Sequence, residues 1–132
     1  MNSPQPPRTI VLVVEDEPGL RELVVDELTG AGFGVLQAEI GHDALSIIDS
    51  GEPIDVLFTD IRLPGVIDGW QIAAHARKLI PGIHVIYASG YAPDRSAQVP
   101  DSLYVKKPYL PSAIVLEIAR RVFDATCQTR AE

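Results

Sequence analysis

Asp55-Val56-Leu57-Phe58-Thr59-Asp60-Ile61-Arg62-Leu63-Pro64-Gly65 is the stretch that decides how the rest of the chain reads. Val56, Leu57 and Phe58 form a short apolar run, and Pro64-Gly65 places a turn signal behind it. A continuous run of this length reads as a strand covered on both faces, the kind found in parallel sheets. Asp60 ends that strand, at the edge where open α/β sheets hold their ligands. A carboxylate there is either a cap for the following turn or a nucleophile. Taken alone, the cap is the commoner outcome.

Working outward, Thr9-Ile10-Val11-Leu12-Val13-Val14 is a second buried run, and it ends abruptly in Glu15-Asp16-Glu17. Pro18 suits the first turn of a helix, and Leu20, Leu23, Val24, Glu27 and Leu28 follow as a helical stripe up to Gly30-Ala31-Gly32. Residues 33–38 read as a strand, and Ala44, Leu45, Ile47 and Ile48 as a helix broken by Gly51-Glu52-Pro53. Beyond Asp60, Trp70, Ile72, Ala73, Ala76 and Leu79 mark a third helix, stopped by Pro81-Gly82. Residues 83–88 and 103–105 are two more strands, followed by Ser89-Gly90 and by Lys106-Lys107-Pro108. A last helix starts near Pro111 and carries Ile114, Val115, Ile118, Val122 and Phe123. Strand and helix alternate with no hairpin signal, which predicts an α/β parallel sheet with helices on both faces. Residues 1–8 read as a loose proline-rich tail, 9–124 as one domain and 125–132 as a C-terminal tail.

A chain of 132 residues fits a single domain with one core. The net charge of −7 argues against a nucleic-acid groove or an anionic membrane surface as partner. Cys127 is the single cysteine, so no internal disulfide or cysteine metal site forms, and a reducing cytoplasm fits. No apolar run is long enough to span a bilayer and no signal-peptide core opens the chain, so it is expected to be soluble. His42, His75 and His84 share no ligand spacing and read as structural or surface residues.

Right-handed crossovers put the carboxyl ends of all the strands on one edge. Glu15 and Asp16, Asp60, Ser89 and Lys107 are thereby gathered by topology alone. Two carboxylates about 5 Å apart repel by roughly 3 kcal/mol at an effective dielectric of about 20. A site with three protonates one of them or binds a cation, and hard oxygen ligands favour Mg²⁺ or Mn²⁺ over zinc. Lys106 points to the opposite side of the strand and is given no chemistry.

Five short motifs then carry a resemblance: Val13-Val14-Glu15-Asp16-Glu17, Asp60-Ile61-Arg62-Leu63-Pro64-Gly65, Asp68-Gly69-Trp70, Ala88-Ser89-Gly90-Tyr91 and Lys107-Pro108-Tyr109. In this order and spacing the chain resembles a receiver domain of two-component response regulators, from about Thr9 to Phe123. The resemblance implies a flavodoxin-like doubly wound sheet of order 2-1-3-4-5. It implies that Asp60 is the phosphoacceptor, loaded from a sensor histidine kinase or phosphotransfer protein. Asp16 would bind Mg²⁺ directly, Glu15 through a water, and the backbone carbonyl of Arg62 would complete the protein ligands. Ser89 would hydrogen-bond the phosphoryl group, Lys107 would pair with it, and Tyr104 matches the aromatic switch. Lys107-Pro108 is a candidate cis peptide. The helix after Pro18 would dock the kinase through Arg21, Glu22 and Val25.

Two departures stand out. The loop through Gly65-Val66-Ile67 is longer than in chemotaxis-type receivers, and the interval from Ser89 to Lys107 is shorter. Both resemble an alphaproteobacterial receiver subgroup with Phe-Ala-Thr-Gly-Tyr-like motifs. The segment between Pro93 and Pro100 has no apolar stripe, so the helix expected between the last two strands should be short and mobile. With no output domain after Phe123, the chain is expected to act by docking or as a phosphate sink, as a monomer or weak homodimer, and to catalyse only its own phosphorylation and dephosphorylation. A phosphorylation-independent interaction module of the same fold is the alternative. A Mg²⁺-dependent aspartyl-phosphate phosphatase is disfavoured, because Arg62 stands where its second Asp belongs.

Overall fold

The structure, a computed structural model, describes residues 8–91, 94 and 96–130. Its elements are β1 (Ile10–Val14), α1 (Pro18–Gly30), β2 (Gly34–Ala38), α2 (Gly41–Asp49), β3 (Val56–Asp60), α3 (Gly69–Leu79), β4 (His84–Ser89), β5 (Ser102–Lys106) and α4 (Pro111–Arg130). The five strands are parallel in the order β2-β1-β3-β4-β5. This is the expected doubly wound, flavodoxin-like sheet.

Alternate residues of the central strands feed two separate cores. Leu12, Val14, Leu57, Val85 and Tyr87 meet Ala44 and Ile48 of α2 and Ile72, Ala73 and Ala76 of α3. Val11, Val13, Val56, Phe58, Ile86 and Ala88 meet Val24 and Leu28 of α1 and Ile114 and Ile118 of α4. The β3 run is buried at every position, which is why it lacks polar alternation.

Three expectations need correction. Leu23, assigned to the stripe of α1, is 56% exposed, because Val24 and Leu28, with Leu20 beside them, close that helix onto the sheet. The last helix continues through residues 125–130, which were expected to belong to a C-terminal tail. Between β4 and β5 the described residues form no helix, only turns at Ser96-Ala97 and Pro100-Asp101. Ala92, Pro93 and Arg95 of that expected helix lie outside the described residues, as do Met1 to Pro7 of the N-terminal tail.

Side chains tie the described part of this segment to the rest of the fold. Tyr87 is fully buried, its ring 4.6 Å from that of Trp70, and its hydroxyl accepts a hydrogen bond from the Val99 N–H at 3.1 Å. Arg77 donates to the Pro100 carbonyl at 2.5 Å and Arg121 to that of Asp101 at 3.3 Å. The Ser102 hydroxyl donates to the Val99 carbonyl at 2.7 Å. No helix among the described residues is long and apolar enough to cross a membrane.

Candidate functional site

Backbone pairing carries past the strand ends and fixes the residues that follow them. The Glu15 N–H donates to the Ala38 carbonyl at 3.1 Å, Ile61 N–H to Ala88 at 3.1 Å, and Lys107 N–H to Ser89 at 2.8 Å. Glu15, Asp60 and Lys107 converge as a result. The Lys107 Nζ lies 2.7 Å from Asp60 Oδ1 and 3.1 Å from Glu15 Oε1. The two carboxylates are only 5% and 2% exposed. Asp16, at the rim, brings a third carboxylate oxygen, and all three lie within 4.8 Å of one another.

One ammonium does not balance this cluster. Glu15 Oε2 and Asp60 Oδ2 are buried and meet no donor among the described residues, so each calls for a proton or a cation. Burial, together with the neighbouring Glu15, pushes the Asp60 carboxyl up to about 8, against the pull of Lys107. Burial also works on Glu15, but hydrogen bonds to Asp60 and Lys107 outweigh it and hold that carboxyl below its usual value. Lys107 is raised: burial opposes its charge, and the bonds to Asp60 and Glu15 more than restore it. The three carboxylates offer only oxygen to a cation, a donor set suited to a hard divalent ion.

Residues 11–119 match the sequence profile of the response regulator receiver domain. The chain belongs to that family. Receivers are signalling domains of two-component systems rather than enzymes of intermediary chemistry. This receiver is 29% identical to the response regulator receiver protein CpdR of Brucella abortus, over 87% of the chain and 98% of CpdR. It is 37% identical to a segment of the Brucella sensor kinase CckA, over 67% of the chain but 9% of the kinase. With the Escherichia coli transcriptional regulatory protein GlrR it shares 34% identity over 71% of the chain, which spans only 21% of GlrR. Among solved structures, a receiver protein from Sinorhizobium medicae superposes with a TM-score of 0.81 at 34% identity, covering 86% of this chain and 93% of that one.

The other expected site residues of the receiver take up mixed positions. Ser89 is buried, and its hydroxyl accepts from the Tyr91 N–H at 3.1 Å rather than meeting Asp60. Tyr104 is half-buried, its hydroxyl donating to the Ser89 carbonyl at 3.5 Å. The Lys107-Pro108 bond is cis. Lys106 is exposed and apart from the cluster. Arg62 is also exposed, its guanidinium 4.0 Å from the centroid of the Tyr91 ring. His75 pairs with Asp49 at 2.6 Å between α2 and α3, away from the acids.

Three residues of this site were not given their roles by the sequence. Arg21, expected on the exposed docking face, has a side chain only 16% exposed and turns in to donate to the Glu15 carbonyl at 2.7 Å. Gly69 opens α3 with its Cα directly over the backbone of Asp60, a contact a Cβ would fill, and its N–H donates to the Ile61 carbonyl at 2.7 Å. Tyr109 stands edge-on to Phe58 at 5.5 Å, and burial, then the charges of Glu15 and Asp60, push its hydroxyl up. The Asp68-Gly69 dipeptide was the available signal for the second of these. Asp68 caps α3 through the Gln71 N–H at 2.9 Å, and the glycine behind it permits the close approach.

Proposed function

We propose that the chain accepts a phosphoryl group on Asp60 from a sensor histidine kinase or phosphotransfer protein, with Mg²⁺ (or Mn²⁺) at Asp16 and Asp60. Glu15 acts there through water and the Arg62 backbone carbonyl completes the set. The observation that carries this reading is Lys107 Nζ seated between two buried carboxylates whose second oxygens have no donor among the described residues.

An Asp60 carboxylate oxygen attacks phosphorus, an O–P bond forms, and the donor's N–P bond breaks with its electron pair left on the imidazole. Bound Mg²⁺ supplies neutralisation of the phosphoryl oxygens. The Lys107 ammonium adds positive charge from within bonding distance of Asp60, where it costs no reorganisation. The Ser89 hydroxyl, accepting from Tyr91, keeps its own proton free to donate to a phosphoryl oxygen. Tyr104, bonded to the Ser89 carbonyl, is placed to repack when Ser89 is drawn over.

Acetyl phosphate with Mg²⁺ is expected to add one phosphoryl group, read by intact mass. The adduct should disappear with EDTA and in Asp60→Asn. An adduct that survives either treatment would place the chemistry elsewhere.

On this reading the receiver signals by docking, or drains phosphate, in the cytoplasm; CpdR, which it resembles, is likewise a response regulator receiver protein. The exposed Leu23 of α1, flanked by Glu22 and Asp26, replaces Arg21 as the kinase-facing anchor, beside Glu22 and Val25. Leu23→Ser should slow phosphotransfer from a cognate kinase about tenfold, a typical loss for an apolar anchor, and leave acetyl phosphate labelling unchanged. Equal losses with both donors would place the defect in the site instead.

A further inference from the structure

The Glu15 N–H pairs with Ala38 and its carboxylate with Lys107, but the Glu15 carbonyl, which leads into Asp16, is held by neither. Glu17, at the N-cap of α1, makes no side-chain capping bond, and Pro18 follows it. What holds that carbonyl is Arg21. Its Nη1 donates to the Glu15 carbonyl at 2.7 Å, its Nε to Gln37 Oε1 at 3.3 Å, and its Nη2 lies 3.7 Å from Glu39 Oε1. One guanidinium thus ties the acid loop to β2 and to the residue just beyond it. The Glu15 carbonyl belongs to the peptide group that joins Glu15 to Asp16. Fixing that plane fixes how far the exposed Asp16 carboxylate stands from the buried Glu15 and Asp60.

We infer that Arg21 is a positioning residue for a divalent cation at the Glu15, Asp16 and Asp60 cluster, acting through the Glu15–Asp16 peptide. The inference rests on the metal-site reading above and extends it to a residue that offers the ion no ligand. Its sign can be tested. A guanidinium near a cation site repels the ion, so if Arg21 acted only by its charge, removing it would tighten binding. If it positions the acids, removing it weakens binding, by about tenfold or more as for other residues that orient metal ligands.

Mn²⁺ serves as the probe, with free ion counted by electron paramagnetic resonance and the result checked by Mg²⁺ competition. Arg21→Ala should raise the dissociation constant at least about tenfold. Arg21→Lys keeps the charge but cannot hold the three acceptors together, so it should fall between parent and Arg21→Ala. Urea unfolding in EDTA runs alongside, and affinities are compared only at urea-free concentrations where each variant is folded. Unchanged or tighter binding in Arg21→Ala overturns the inference, whatever the variant does to stability. Parent protein that binds no Mn²⁺, or binds it as well after Asp16→Asn, overturns the metal-site reading and this inference with it.

Discussion

Lys107→Ala is expected to slow labelling of Asp60 by acetyl phosphate about 10²–10³-fold at saturating Mg²⁺, the usual loss when one preorganised donor leaves a developing charge. Its ammonium is 2.7 Å from Asp60 Oδ1, and its side chain is 27% exposed, so solvent replaces only part of what it supplies. Single-turnover labelling followed by intact mass checks this. A loss under about threefold would remove Lys107 from the chemistry.

The same substitution should leave a pH signature in stability. Asp60, raised from 3.8 to about 8, holds a proton when folded that it gives up when unfolded. Its contribution is therefore present at low pH and is lost as the pH rises through about 8. Without Lys107 the pull that lowers Asp60 is gone, so its carboxyl keeps the proton to higher pH. The variant should already lie below the parent in EDTA near about pH 6, where Glu15 is ionised and loses its cation, and the gap should widen by about 1 kcal/mol by about pH 9, where Asp60 of the parent has given up its proton. Urea unfolding at the two pH values decides it, and a difference that does not grow with pH would count against the shared-proton account.

Gly69→Ala should be the most damaging single methyl group in the domain. The new Cβ would overlap the Asp60 carbonyl oxygen and lie 2.8 Å from Ile61 Cα, and neither backbone atom can rotate away. A loss of about 3 kcal/mol or more is expected, the upper range for overpacking, together with slower labelling because Asp60 itself is displaced. Gly82→Ala is the control, with nothing within 4 Å of its Cβ and an expected change within about 0.5 kcal/mol. Similar urea midpoints for the two variants would show that α3 can withdraw from the strand.

The sheet and its acids were legible because they follow from local signals. Continuous apolar runs end in turn residues, and crossover handedness sends every strand end to one edge. The cluster of Glu15, Asp60 and Lys107 needed nothing more. What escaped depends on pairs distant in sequence. Arg21 looked like a free surface cation, since nothing local shows that its partners Gln37 and Glu39 come from β2 and just beyond it. Leu23 fits the helical period, but the period does not say how wide a stripe the sheet will cover. The segment before β5 was judged by its lack of an apolar stripe to hold a short helix, and its described residues form turns instead. That it would be held by a tyrosine hydroxyl from inside the sheet has no signature in its own residues.

Tyr87 and Ser89 are two apart on β4 and so project from the same face of the strand. Each grips a point on the chain that follows: Ser89 the N–H of Tyr91, Tyr87 the N–H of Val99. The link between β4 and β5 is thus slung from one rail at both ends, like a carriage under its track. A pull on Ser89 at the acid edge therefore acts on the same strand that holds Val99, with no helix among the described residues between the two grips.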